Sequence, residues 1–164
     1  MTKLRIYLDT SVINFLFADD APEKRDVTLE FFEEYVTRRV HDCFMSSVVV
    51  DELERTKDTA TREKLLKAVR DYPLAMLAIE PREEIVSLAD SYREKGAIPA
   101  AKIEDSMHVA LATVYQMDAL ISWNFQHLAN LTKERRIAAV NEALGYIYPL
   151  RVTTPLEVMG REES

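Results

Sequence analysis

The sequence predicts an α/β fold, a mostly parallel sheet with helices on both of its faces. Two observations lead there. Short apolar stretches bounded by polar or turn residues alternate with longer segments in which apolar residues recur at helical spacing. Strands separated by helices pair in parallel and are covered from both sides. In addition, 164 residues with 48% hydrophobic content suffice for one well-buried core and are too few for two.

The first strand is expected at residues 4–8, Leu-Arg-Ile-Tyr-Leu, closed by Asp9. Residues 23–40 follow as a helical segment, with Val27, Phe31, Phe32, Tyr35 and Val36 on one side. A second strand at 43–45 leads into the apolar Val48-Val49-Val50 and then Glu52. Residues 61–72 are helical through Leu65, Leu66 and Val69, 74–79 form a strand, and 83–95 are helical through Ile85, Val86, Ala89 and Tyr92. After the loop at 95–99, with Gly96 and Pro99, helical spacing resumes over 102–117 through Ile103, Met107, Ala110, Leu111 and Val114. A fourth strand is expected at 119–122, a helix starting near Phe125, and a last strand at 150–152. Asn14 and Asn141 stand beside apolar positions, which suits buried structural hydrogen bonding; residues 160–164 are expected to fray.

Composition narrows the function. The N-terminus has no secretory pattern, and no stretch approaches the roughly 20 apolar residues of a membrane span, so the cytoplasm is the expected compartment. Cys43, the single cysteine, reads as a buried thiol. Three glycines outside any Gly-rich loop leave no phosphate cradle, and three histidines without ligand spacing leave no zinc site. Ser106 and His108 lack a nucleophile elbow. A net charge of −7 argues against a broad basic surface for nucleic acid, although acids gathered around cations would contribute to it. The short basic groups Arg38-Arg39, Lys64 with Lys67, and Lys133 with Arg135-Arg136 read mostly as solvated helix faces.

Three carboxylates stand apart from the surface acids. Asp9 ends a buried-type strand, Glu52 shares a helical face with Val48, Val49 and Thr56, and Asp105 opens a helix. Acids at element ends can stay partly hydrated while facing one another, the arrangement a hard divalent cation needs. A buried carboxylate at Asp9 requires a cation or hydrogen-bond donors, the favoured reading over a simple cap on the helix after it. Thr10 and Ser11 can donate to Asp9 or to a bound phosphate. Asp51 with Arg55, and Glu54 with Lys57, have ordinary surface ion-pair spacing. Glu104 suits the first turn of its helix; His108, one turn beyond Asp105, is placed to orient that carboxylate or bind phosphate, but reads first as a hydrogen-bonded core residue.

Four segments carry a family resemblance: Leu8-Asp9-Thr10-Ser11-Val12-Ile13-Asn14, residues 47–53 with Glu52, Glu104-Asp105-Ser106-Met107-His108-Val109-Ala110, and Leu120-Ile121-Ser122-Trp123-Asn124. In order and spacing they resemble the signature segments of PIN-domain ribonucleases, most of all the single-domain VapC-type toxins of type II toxin-antitoxin modules. The resemblance implies a three-layer α/β/α domain over residues 1–159, dependence on Mg²⁺ or Mn²⁺, and RNA cleavage leaving a 3′-hydroxyl and a 5′-phosphate. It also implies a homodimer neutralised by a cognate antitoxin; the acidic charge suits an antitoxin with a basic segment, and the aromatic and apolar content of Phe31, Phe32, Tyr35 and Val36 suits self-association through outer helices. Asp9, Glu52 and Asp105 would hold one or two ions, with Asn124 completing the site. Asn124 departs from the family, since many relatives carry an Asp there. Its carbonyl can coordinate without charge, and it can cap the next helix. A PIN-like binding module of little activity, holding a basic peptide or RNA in an acidic cleft, is the alternative.

Overall fold

Five short strands, β1 (Arg5–Leu8), β2 (Asp42–Ser46), β3 (Ala75–Leu77), β4 (Ala119–Ile121) and β5 (Arg151–Thr153), form one sheet in the order β3-β2-β1-β4-β5. Every neighbouring pair is parallel, so the sheet is more uniform than the mostly parallel one expected. The computed structural model describes residues 2–160; the fraying expected beyond Gly160 lies outside the described residues. Parallel pairing follows from the connections, each of which includes a helix. These are α1 (Thr10–Phe15), α2 (Pro22–Phe31), α3 (Ser47–Glu54), α4 (Thr59–Asp71), α5 (Arg82–Glu94), α6 (Ile103–Val114) and α7 (Leu131–Ala143).

The sheet divides the one core expected into two apolar clusters, one on each of its faces. Ile6 and Leu8 face one side, where Val12, Phe31, Phe32, Met45, Val49 and Leu65 are buried with them. Tyr7 faces the other, among Ile85, Tyr92, Val109, Leu120 and Ile137. A period of two puts successive side chains on opposite faces, and burial on both faces explains the unbroken apolar run in β1. The layers are therefore α1, α2 and α4, then the sheet, then α5, α6 and α7; α3 contributes Val48 to one core and Val49 and Leu53 to the other. After α5, Gly96 at φ 75° turns the chain so that Ala97 and Ile98 re-enter the core.

The order of the strands fixes where a site can form. From the central β1 the chain steps outward to β2 and β3, then returns through α5 and α6 to β4 and β5 on the other flank. Such a reversal opens a crevice beyond the carboxyl ends of the two strands where it occurs. Here those strands are β1 and β4, and the residues following them are Asp9 and Ser122.

Several expectations need correction. The helix over 23–40 is α2 continued by a π-helical turn, Phe32–Val36, and it stops before Arg39, whose φ is 54°. Phe31, Phe32 and Val36 are fully or almost fully buried and Tyr35 is half-buried, so these side chains build the core and do not form an outer face for self-association. The last long helix starts at Leu131, where the Asn130 side chain accepts from Lys133 N at 2.9 Å, and not near Phe125. Asn14 is exposed, whereas Asn141 is buried against Tyr92 and Thr113 as expected. Arg55 pairs with Glu104 across α3 and α6 at 2.8 Å rather than with Asp51. Cys43 is a buried thiol that burial pushes up to about 12. Among the described residues, no helix is long and apolar enough to cross a membrane.

Because the Phe31 ring is wholly enclosed between Phe32, Tyr35 and the sheet, its truncation leaves a cavity. Phe31→Ala should cost about 3–5 kcal/mol in urea denaturation. An effect below about 1 kcal/mol would place this ring at the surface.

Candidate active site

Asp9 is the first residue beyond β1, with extended backbone, and it caps α1: its carboxylate accepts from Val12 N at 3.3 Å. Ser11 Oγ donates to the same carboxylate at 2.6 Å and accepts from Trp123 N at 2.9 Å, which ties the end of β1 to the end of β4. Asp9 is 3% exposed, and burial raises its pKa against the lowering effects of the His108 charge and of hydrogen bonds from Ser11, Ser122 and Val12 N. The helix cap and the crevice carboxylate are one and the same group.

Glu52 leans from α3 into the crevice and is met there by two donors. Thr10 Oγ1 donates to Glu52 Oε1 at 2.8 Å, and His108 Nε2 lies 2.7 Å from the same oxygen. Thr10 therefore serves Glu52 and not Asp9, while Ser11 serves Asp9. Burial would raise the pKa of Glu52, but the His108 bond and charge, with Thr10 and Arg55, lower it. His108 is a core residue, as expected from its apolar neighbours, but it orients Glu52 and not the Asp105 carboxylate one turn before it. Its Nδ1 is 2.7 Å from the Tyr7 hydroxyl, which is in turn 2.8 Å from Ser46 Oγ. Burial acts to keep His108 neutral; Glu52 above all, with Asp9 and Asp105, raises its pKa instead.

Asp105 lies in the first turn of α6, partly buried, and has the thinnest support of the three acids. Asn124 Nδ2 donates to its Oδ2 at 3.3 Å, the one hydrogen bond to this carboxylate among the described residues. Its pKa is pushed up to about 6, by burial first and then by the negative charge of Asp9, with Glu52 adding to it. Asn124 follows β4, and its Oδ1 accepts from His127 N at 3.1 Å, capping the turns over 125–128. That bond orients the amide: the nitrogen, not the carbonyl oxygen, faces Asp105.

The three acids thus come from three elements to one crevice, near enough for Asp9 and Glu52 to shift Asp105. Among the described residues, no three His, Cys, Asp or Glu side chains close into a finished coordination shell. Asp9 and Glu52 are instead turned onto their own hydroxyl and imidazole partners. The donor set nonetheless suits a hard divalent cation, being oxygen-rich, concentrated in negative charge and left with an under-compensated carboxylate at Asp105.

Sequence reasoning missed Ser122 as a partner of Asp9, and Tyr7 and Ser46 as the support of His108. The one visible signal was a polar group inside each apolar strand segment. Nothing in the spacing could pair positions 7, 46 and 108.

Residues 6–142 match the family model of the PIN domain. Among solved structures, the crystal structure of VapBC2 from Rickettsia felis bound to a DNA fragment from their promoter is similar in fold, with a TM-score of 0.55 and 14% identity. The match covers 91% of this chain and 98% of that one. No curated protein matches the chain.

The Asp105 shift sets a pH dependence for the metal-free protein. With a pKa of 3.8 unfolded and about 6 folded, the native state binds more protons between those values, so this group lowers stability as pH rises from about 4 to 6. In chelator, Asp105→Asn should raise Tm by roughly 4 °C at pH 7.5, and the gain should vanish below about pH 4. A loss of Tm at pH 7.5 would show that the carboxylate is a favourable structural group.

Proposed function

The chain belongs to the PIN domain family, and we propose that it is a divalent-metal-dependent endoribonuclease, the toxin of a type II toxin-antitoxin pair. The observation that carries the proposal is the meeting of Asp9, Glu52 and Asp105, from three separate elements, at the strand reversal of the sheet. Residues 1–159 are taken as a single PIN-like domain. Asp9, Glu52 and Asp105 would hold Mg²⁺ or Mn²⁺, and a bound cation would supply Lewis-acid charge to the scissile phosphate and favour ionisation of an attacking water.

The chain's own residues prepare that chemistry. Ser11 and Ser122 hold Asp9 at the end of β1. His108 and Thr10 fix the rotamer of Glu52, and Arg55 braces α3 against α6 through Glu104. Asn124 is assigned to the site beside Asp105; for its oxygen to serve as a ligand, the amide must give up His127 N and turn over. Thr10 and Ser11 remain the hydroxyls placed to meet a phosphate.

The same proposal includes a cytoplasmic location, a homodimer and an antitoxin with a basic segment. A net charge of −7 and an acidic crevice complement such a segment. The orientation of the Asn124 amide favours one second reading, a PIN-fold binding module with little catalysis.

Cleavage of a mixed RNA pool by the purified chain tests the choice. Activity should require Mg²⁺ or Mn²⁺, stop in chelator, and fall at least a hundredfold in Asp9→Asn and in Asp105→Asn with the circular dichroism unchanged. Equal activity in either variant at saturating Mg²⁺ would remove these acids from the site. Asn124→Asp replaces the amide donor to Asp105 with a negative charge. It should therefore lower the Tm of the metal-free protein and tighten Mn²⁺ binding in calorimetry, by roughly tenfold. Unchanged affinity and stoichiometry would exclude position 124 from the metal site.

A further inference from the structure

Beside the acidic crevice stands an aromatic cluster that the fold alone does not require. Trp123 is buried, and its Nε1 donates to Thr28 Oγ1 at 2.9 Å, which pins the end of β4 to α2. Around it lie Phe15, at 5.9 Å between ring centroids, and Phe125, at 6.1 Å and edge-on. Phe125 is 45% exposed, although a phenyl ring loses stability for every face it leaves in water. The Lys24 ammonium sits over all three rings, 5.0 Å from Phe125, 5.5 Å from Phe15 and 5.8 Å from Trp123. Among the described residues it makes no ion pair, whereas Arg25 next to it pairs with Asp19 and Asp26. A cavity of about 290 Å³ lined by Ala21, Pro22, Glu23 and Lys24 opens beside the lysine.

We propose that Phe125 and Lys24 form a nucleobase-binding subsite that holds single-stranded RNA next to the acidic crevice, a reading that rests on the nuclease function above. The chain itself supplies the adjacency: Asn124, bonded to Asp105, is the residue between Trp123 and Phe125. A base stacks on the exposed phenyl ring, and Lys24 meets the phosphate attached to it. Stacking is the term this protein needs. With a net charge of −7, attraction for the phosphate backbone supplies less affinity here than on a basic surface. An aromatic face with one cation beside it binds any unpaired base without a basic surface. The subsite also selects for single strands, because a base paired within a duplex has no face free to stack.

Trp123, the only tryptophan, sits in the cluster and reports on its occupancy. The full chain is titrated in Mg²⁺ with a short single-stranded RNA of mixed sequence and with the same sequence as a duplex, reading both tryptophan fluorescence and cleavage. The single strand should quench Trp123 and the duplex should not. Phe125→Ala should raise KM and the Kd from quenching roughly tenfold with kcat within about twofold of wild type, and Phe125→Tyr should restore both. Lys24→Gln should raise KM about threefold and reduce the salt dependence of binding by about one ion.

Cleavage by wild type with KM unchanged in Phe125→Ala and Lys24→Gln overturns the subsite and leaves the nuclease standing. A lowered Tm with KM unmoved does the same, and marks the cluster as a structural brace. Quenching that depends on Phe125 in a chain that cleaves no RNA keeps the subsite and overturns the nuclease. Neither quenching nor cleavage overturns both.

Discussion

Burial of three carboxylates in one crevice is the constraint on which the rest of the site depends. Loss of water raises a carboxylate's pKa unless hydrogen bonds or a positive charge oppose it, and neighbouring negative charge adds to the rise. The fold opposes that rise unequally. Asp9, the most buried, has two hydroxyls and a backbone N–H, and burial still raises its pKa. Glu52 has a hydroxyl and an imidazole, and its pKa falls. Asp105 has one amide N–H at 3.3 Å, and its pKa rises to about 6. Asp105, in the first turn of α6, is thus the acid with the fewest hydrogen-bond donors among the described residues.

The support for Glu52 runs from the sheet through α6 to α3. Tyr7 belongs to the central strand, Ser46 to the end of β2, His108 to α6 and Glu52 to α3, and a single line of hydrogen bonds joins them. Burial lifts the Tyr7 hydroxyl well above its ordinary range, so it stays a protonated donor in this line. If His108 is neutral, Tyr7 donates to its Nδ1 while Nε2 donates to Glu52; if it is charged, both ring nitrogens donate and Tyr7 turns its hydrogen to Ser46. Nε2 points a proton at Glu52 in either state. The carboxylate is therefore held in one rotamer without requiring the histidine to carry charge.

Much of the fold was legible because burial on both faces of a parallel sheet writes itself into the sequence as short, unbroken apolar runs such as Ile6-Tyr7-Leu8. All five strands were located, and Asp9 and Glu52 lie near enough to Asp105 to shift its pKa. What escaped detection depends on distance through space. The side of α2 and its π-turn bearing Phe31 and Phe32 reads as apolar in any case, and only the packing shows that it faces Ile6, Met45 and Leu65 and not a second copy. The helix expected near Phe125 is displaced because Asn124 and Asn130 cap two successive features, turns first and α7 second, and a single sequence cannot say which asparagine starts the longer one. His108 carried the right general assignment and the wrong neighbour. On a helix, residues three apart share a face, which drew attention to Asp105, yet the imidazole reaches across to α3.

Asn124 illustrates how one side chain can answer two local demands and thereby settle its own orientation. An amide can present either end to Asp105, and in isolation the carbonyl would suit a cation while the nitrogen suits a carboxylate. The backbone N–H of His127 decides: it takes the oxygen, and the nitrogen is left for Asp105. An aspartate here could satisfy the backbone equally well, but its second oxygen would then face Asp105 as a fourth negative charge. The amide is thus the choice that lets the metal-free crevice hold three carboxylates without adding to their repulsion. It also leaves the crevice with less negative charge for a second cation than a fourth acid would provide.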